Sequence, residues 1–319
     1  MVKTQRTLIG ILSALAIVSL SAVSCEPTAL TSTSTSTKKY EIPFKLSRNK
    51  IILPVRVGDS RELKIILDTG MHFEGLLVYN KDLKDSITLE NEIEVQVPGA
   101  GADSASTAVM ADSMSFHMGA VKFTNQRIII LQSDRMAGFT SDGVTGYSLF
   151  GNYTVEVDYD KMIITLHESK EVKVDSSWEW LPMTFKDNKI PWIEAAVNIN
   201  GKKEVPVSVY IDLASSEAIE LLVRKAMKFD LPDELKESYL GRGLSGDIYG
   251  HEGRIASLKL GSFYLENIPT AFAPAEVRSK QEGADGIIGN NALRRFNLIF
   301  DYKNARLYIK PNEYFSEPF

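Results

Sequence analysis

The chain has 319 residues, 44% apolar and 24% charged, with a net charge of −5. That is enough chain for two domains, each with its own core. The acidic balance excludes a surface built to neutralise phosphates, so no nucleic-acid partner is expected.

Lys3 and Arg6 precede an apolar stretch, Leu8–Leu20. It is short for a permanent bilayer span and has the layout of an export signal peptide. Ser21-Ala22-Val23-Ser24 leads into Cys25, the only cysteine. Small residues ahead of a cysteine resemble the processing site of bacterial lipoproteins, although Ala22 stands where Leu or Val is usual. The resemblance implies removal of residues 1–24 and lipid on Cys25. It also implies an exported protein anchored in a cell-envelope membrane, on the outer-membrane or periplasmic side. Residues 25–39 are rich in Ser and Thr and read as a tether. One cysteine allows no internal disulfide, so the fold must rest on its core.

Residues 40–168 read as a first lobe of short strands. Ile51–Val57, the turn Gly58-Asp59-Ser60 and Leu63–Leu67 form strand, turn, strand, ending at Asp68-Thr69-Gly70. A strand at Ile93–Val97 precedes a turn-rich tip holding Gly99 and Gly101. Strands at Ser113–Phe116, Val121–Phe123 and Ile128–Leu131 follow, then the loop Ser141–Gly146, and a hairpin of Tyr153–Tyr159 with Met162–Leu166 closes the lobe. The polar segment 169–177 reads as a linker. Residues 178–319 repeat the series, with strands at Trp192–Ile199 and Val205–Ile211 leading into Asp212-Leu213-Ala214. The apolar spacing of Glu217–Met227 predicts a helix, and Asn290–Phe296 a shorter one. Between them lie a glycine-rich turn, Gly241–Gly246, and strands at Arg254–Leu260 and Phe272; Leu298–Tyr302 and Arg306–Ile309 form the last hairpin.

The two series are an internal duplication. Asp68 and Asp142 are 74 residues apart, Asp212 and Asp285 are 73 apart, and 16 residues separate both Asp142 from Asp158 and Asp285 from Asp301. Asp142-Gly143-x-x-Gly146 matches Asp285-Gly286-x-x-Gly289 without a gap. The class is therefore mainly β, with two related lobes.

These landmarks together resemble the pepsin and retropepsin aspartic proteases. The motifs are apolar-apolar-Asp-Thr-Gly, a glycine-tipped hairpin, and apolar-apolar-Gly before a short helix. The closing Asp285-Gly286-Ile287-Ile288-Gly289-Asn290-Asn291-Ala292-Leu293 with Asp301-Tyr302 is similar to bacterial retropepsin-like domains. The resemblance spans about residues 51–310. It implies two tandem retropepsin-like β-barrel lobes in a pepsin-like bilobal arrangement, so a monomer suffices. It also implies that Asp68 and Asp212 are a catalytic pair sharing one water, with no metal or cofactor. Two carboxylates held together cannot both ionise cheaply, so one can act as base while the other donates. Thr69, Gly70, Ala214 and Ser215 would support the two catalytic loops. Gly99, Gly101, Gly243 and Gly246 would sit in hairpins over a cleft that takes an extended peptide or protein substrate. The second-lobe hairpin reads equally as an ordinary surface turn.

The second motif departs from the family pattern. Leu213 lacks the hydroxyl that would brace the loops, and Ala214 adds a Cβ where glycine is usual. Met71 replaces a small residue. Three readings stay open: an aspartic endopeptidase, a lipoprotein that binds peptides or proteins without cutting them, or a purely structural envelope component with no open cleft. Gly241-x-Gly243-x-x-Gly246 spells a dinucleotide fingerprint but lacks a following helix. His72, His117, His167 and His251 form no metal-ligating pair in sequence. Trp178, Trp180 and Trp192 are expected as packing near the lobe junction.

Overall fold

The computed structural model describes residues 38–101, 103–168, 172–186, 189–278 and 282–319. The apolar stretch Leu8–Leu20 expected to direct export, Cys25 and the Ser/Thr tract lie outside the described residues, as does part of segment 169–177.

Alternating burial along short strands builds two closed barrels. In the first lobe the strands Lys50–Val57, Leu63–Leu67, Gly143–Thr145, Gly75–Val78, Val121–Leu131 and Ser106–Met118 lie side by side in that order. Arg56 and Val57 pair back with His117 and Phe116, which closes the ring at six strands. The second lobe repeats the order with Pro191–Asn198, Glu204–Asp212, Gly286–Gly289, Ile219–Val223, Phe263–Pro274 and Gly246–Leu260. Its ring closes where Ala196–Asn198 pair with Ser257–Lys259. The duplication read from spacing is thus a duplication of strand order. Within each ring every strand is hydrogen-bonded on both sides.

A third, six-stranded sheet is shared by the lobes. It runs Lys39–Pro43, Ile163–His167, Thr154–Asp158, Phe296–Asp301, Arg306–Pro311 and Glu179–Pro182. Its centre is the pairing of Val155 with Phe300 and Val157 with Leu298. All four side chains are fully buried, so the lobes meet through core, at about 1.5–3 kcal/mol per buried side chain of this kind. Trp192 is buried in the second barrel, whereas Trp180 lies exposed on the outer strand of the shared sheet.

Glu217–Met227 is not a helix. Ile219–Val223 is a strand, parallel to Thr270–Pro274 and antiparallel to Gly286–Ile288. A short run buried between neighbours on both sides shows no alternation to declare a strand, and Glu220 within it reads as the wet face of a helix. The second expected helix is real but short, Asn290–Leu293, and Phe296 already begins the next strand.

Asp142 and Asp285 are braces. Asp142 accepts from the Lys64 amide (2.9 Å) and from Arg61, and Asp285 accepts from the Ser208 amide (2.9 Å) and from Lys228. Each ties the strand that leads into Asp68 or Asp212. Removing either acid would leave a part-buried strand amide without this partner.

Candidate active site

An acid at the end of a buried strand is costly unless hydrogen bonds receive it. Asp68 follows Leu63–Leu67, where its amide donates to the Thr145 carbonyl (2.8 Å). Its Oδ1 accepts from the Gly70 amide (2.7 Å). Asp212 is held alike, its Oδ1 accepting from the amides of Ala214 (2.9 Å) and Ser215 (3.1 Å). Ala214 keeps the donor that glycine supplies in the first lobe, since the bond needs only a backbone N–H. Both carboxyl groups line one cavity of about 1130 Å³ between the lobes.

One threonine crosses between the two loops. The Thr69 hydroxyl donates to the Ile211 carbonyl (2.7 Å) and accepts from the Leu213 amide (3.1 Å). Leu213 is fully buried and offers no hydroxyl in return. Thr69→Val should strip two buried backbone groups of their partner, at about 1–3 kcal/mol each. The expected result is a fall in Tm of about 5 °C or more, with Thr69→Ser close to wild type. Equal melting of all three proteins would show that the crossing contributes nothing.

Burial, then the charge of Asp212, pushes the Asp68 carboxyl up to about 7 from its ordinary 3.8. Burial also raises Asp212, but there the strongest opposing influence is the Arg278 guanidinium. The pair titrates as a unit, and Arg278 biases the negative charge toward Asp212. Arg278 is itself held by Glu220 in a two-pronged ion pair (2.9 and 3.0 Å). On the first-lobe side Lys50 reaches in, its Nζ donating to Ser216 Oγ (2.9 Å). Burial lowers its pKa against the pull of Asp212, Asp68 and Glu217. Lys50, Glu220 and Arg278 were not singled out from sequence. For Glu220 a signal was available, because the duplication aligns it with Leu77, an apolar residue.

Two hairpins roof the cavity. The first is Ile93–Val97 with Ser106–Met118, and the second is Lys236–Gly243 with Gly246–Leu260. Their tips meet: the Gly99 amide donates to Ser245 Oγ (3.1 Å), and the Ser245 amide donates to the Ala100 carbonyl (2.8 Å). Leu244 of the second hairpin packs on the apolar cluster of the first lobe, and Ala100 of the first packs on that of the second lobe. The contact leaves no room for side chains. A Cβ on Gly99 would lie 2.5 Å from Leu244 Cβ, and one on Gly243 would lie 2.2 Å from the Ala100 carbonyl. Gly101 and Gly246 meet the opposing tip just as closely. The tip of the second hairpin is therefore packed on the first, with Gly243 and Leu244 in the cavity wall. Met71 and His72 form part of the cavity wall.

A family model described as aspartyl protease matches residues 195–292, the larger part of the second lobe. Among solved structures, an aspartic proteinase from Irpex lacteus aligns with 88% of this chain and 99% of its own, at a TM-score of 0.51 and 11% identity. No curated protein matches. With two closed barrels in one chain, the fold is the bilobal one of pepsin-like proteins.

Proposed function

We propose that this aspartic-protease-like chain is an endopeptidase whose Asp68 and Asp212 share one proton and one water. In this reading Asp212, ionised beside Arg278, takes a proton from the water as it attacks a peptide carbonyl. Asp68, protonated, donates to the oxygen on which charge develops. The nitrogen of the broken bond then leaves with a proton returned by the pair, and no covalent intermediate forms. The observation that carries the reading is the pair of half-buried acids on one cavity wall, each held at Oδ1 by backbone N–H groups. Such donors orient a carboxylate without consuming its outer oxygen. An extended peptide would lie beneath the two hairpins, which must part to admit it. Both acids come from one chain, so a monomer would suffice. The lipid on Cys25 would hold the enzyme at the cell-envelope membrane.

The test is incubation with a mixed peptide library, with and without a peptide inhibitor that carries a hydroxyl in place of the scissile carbonyl. New termini that disappear with the inhibitor are expected. A chain that binds the inhibitor tightly and cuts nothing would be a binding protein on this fold, and the proposal would fail.

A further inference from the structure

The duplication places matching residues on either side of the acid pair, and the two sides differ in chemistry. Two residues before each acid stand Ile66 and Tyr210. Leu77 pairs with Val144 and Ile129, and at the same points of the second lobe Glu220 pairs with Ile287 and Ala271. Met136 and Arg278 each close the short 3₁₀ turn that follows the next strand. All six residues line the cavity. One cup is thus Ile66, Leu77 and Met136, and its counterpart is Tyr210, Glu220 and Arg278.

The first cup is apolar and part of a buried cluster that includes Leu77, Ile129 and Met136. In the second, Glu220 engages Arg278 through Nε and Nη2. Nη1 of Arg278, with two N–H groups, has no partner among the described residues. The side chains of Glu220 and Arg278 are only 3% and 15% exposed, so what fills the cup must supply an acceptor or leave those donors dry. Glu220 already balances the guanidinium charge, and the acid pair beside it is negative. A carboxylate would add a further negative charge to a desolvated site, whereas a carboxamide supplies the oxygen without the charge.

We propose that the second cup is a specificity site for an uncharged acceptor side chain, Asn or Gln, facing an apolar side chain in the first cup across the scissile bond. This rests on the peptidase reading for its place in the substrate, but the cup's selectivity can be measured without any cleavage.

Two readouts separate the two claims. Peptides with a reduced, uncleavable bond, apolar on one side and Gln, Leu, Glu or Lys on the other, in both orders, are titrated against the full chain. The matching cleavable peptides are then assayed. Gln should bind at least about tenfold tighter than Leu, and tighter than Glu or Lys, whose charge would be desolvated. The variant Glu220→Leu/Arg278→Met carries the residues of the apolar cup, and exchanging a buried ion pair for apolar residues of similar size is commonly tolerated. It should reverse the order to favour Leu. Wild-type binding of Leu as tight as Gln, or a double variant that keeps the Gln preference, would overturn the inference. Gln-selective binding without cleavage of any peptide would overturn the peptidase reading and leave the cup standing.

Discussion

Asp68→Asn should lower peptide cleavage by about 10⁴-fold and yield a protein that is more stable than wild type at pH 8. The loss follows from chemistry: an amide cannot carry the shared proton through a cycle of donation and return. The gain follows from linkage. The folded chain holds the Asp68 proton to about 7, against an ordinary 3.8 when unfolded. A raised folded pKa stabilises the fold fully below about pH 4, and that contribution is lost as pH rises toward 7. Above 7 the wild type carries a buried, repelled charge that the asparagine lacks. The shift corresponds to about 4 kcal/mol, and a Tm higher by roughly 5 °C at pH 8 is a conservative expectation for a chain of this size. Near pH 4 the two proteins should melt together. Thermal melts at pH 4 and pH 8 read both limbs, and a variant less stable than wild type at pH 8 would mean that the acid is not strained by its setting.

Gly146→Ala should be nearly as damaging without touching a reactive group. A Cβ at this position would lie 1.8 Å from the Asp68 carbonyl oxygen and 3.3 Å from Met71 Cβ. The oxygen belongs to the backbone of the loop that carries the acid, so relief means moving Asp68 itself. Forced overpacking costs about 1–3 kcal/mol, and a displacement near 1 Å at a reacting group costs about 10²-fold in rate. The expected result is kcat/KM reduced by about 10²-fold or more and a lower Tm. A Gly146→Ala protein with wild-type kcat/KM would show that the loop moves freely relative to the chemistry. The second lobe carries the same constraint at Gly289, where a Cβ would meet the Glu217 carbonyl at 2.3 Å.

This close packing explains why the duplication could be read from spacing. Asp142-Gly143-x-x-Gly146 and its copy contain a brace for the acid-bearing strand and a glycine that the loop cannot replace, so their positions follow from contacts within each lobe. The mainly β class and the two-lobed order were legible for the same reason. What escaped the sequence lies in contacts between distant segments. Glu220 in Ile219-Glu220-Leu221-Leu222-Val223 looks like the wet face of a helix until its partner Arg278, 58 residues on, is in place. Lys50 opens a strand, as many surface lysines do, and becomes a cavity wall only because Ser216 of the other lobe receives it. The meeting of the two hairpin tips also depends on the lobes facing each other, and no local pattern encodes that. Leu213 was legible as a missing hydroxyl, but the way Thr69 alone serves Ile211 and Leu213 was not.

The rate of peptide cleavage as a function of pH tests the shared-proton pair most directly. With Asp68 titrating near 7 and Arg278 drawing the charge of the pair toward Asp212, kcat/KM should fall as pH rises through about 7, where the last proton leaves the pair. Asp212→Asn should show no cleavage above background at any pH. Cleavage that climbs through pH 7 to an alkaline plateau, or that survives in the Asp212→Asn protein, would contradict the account.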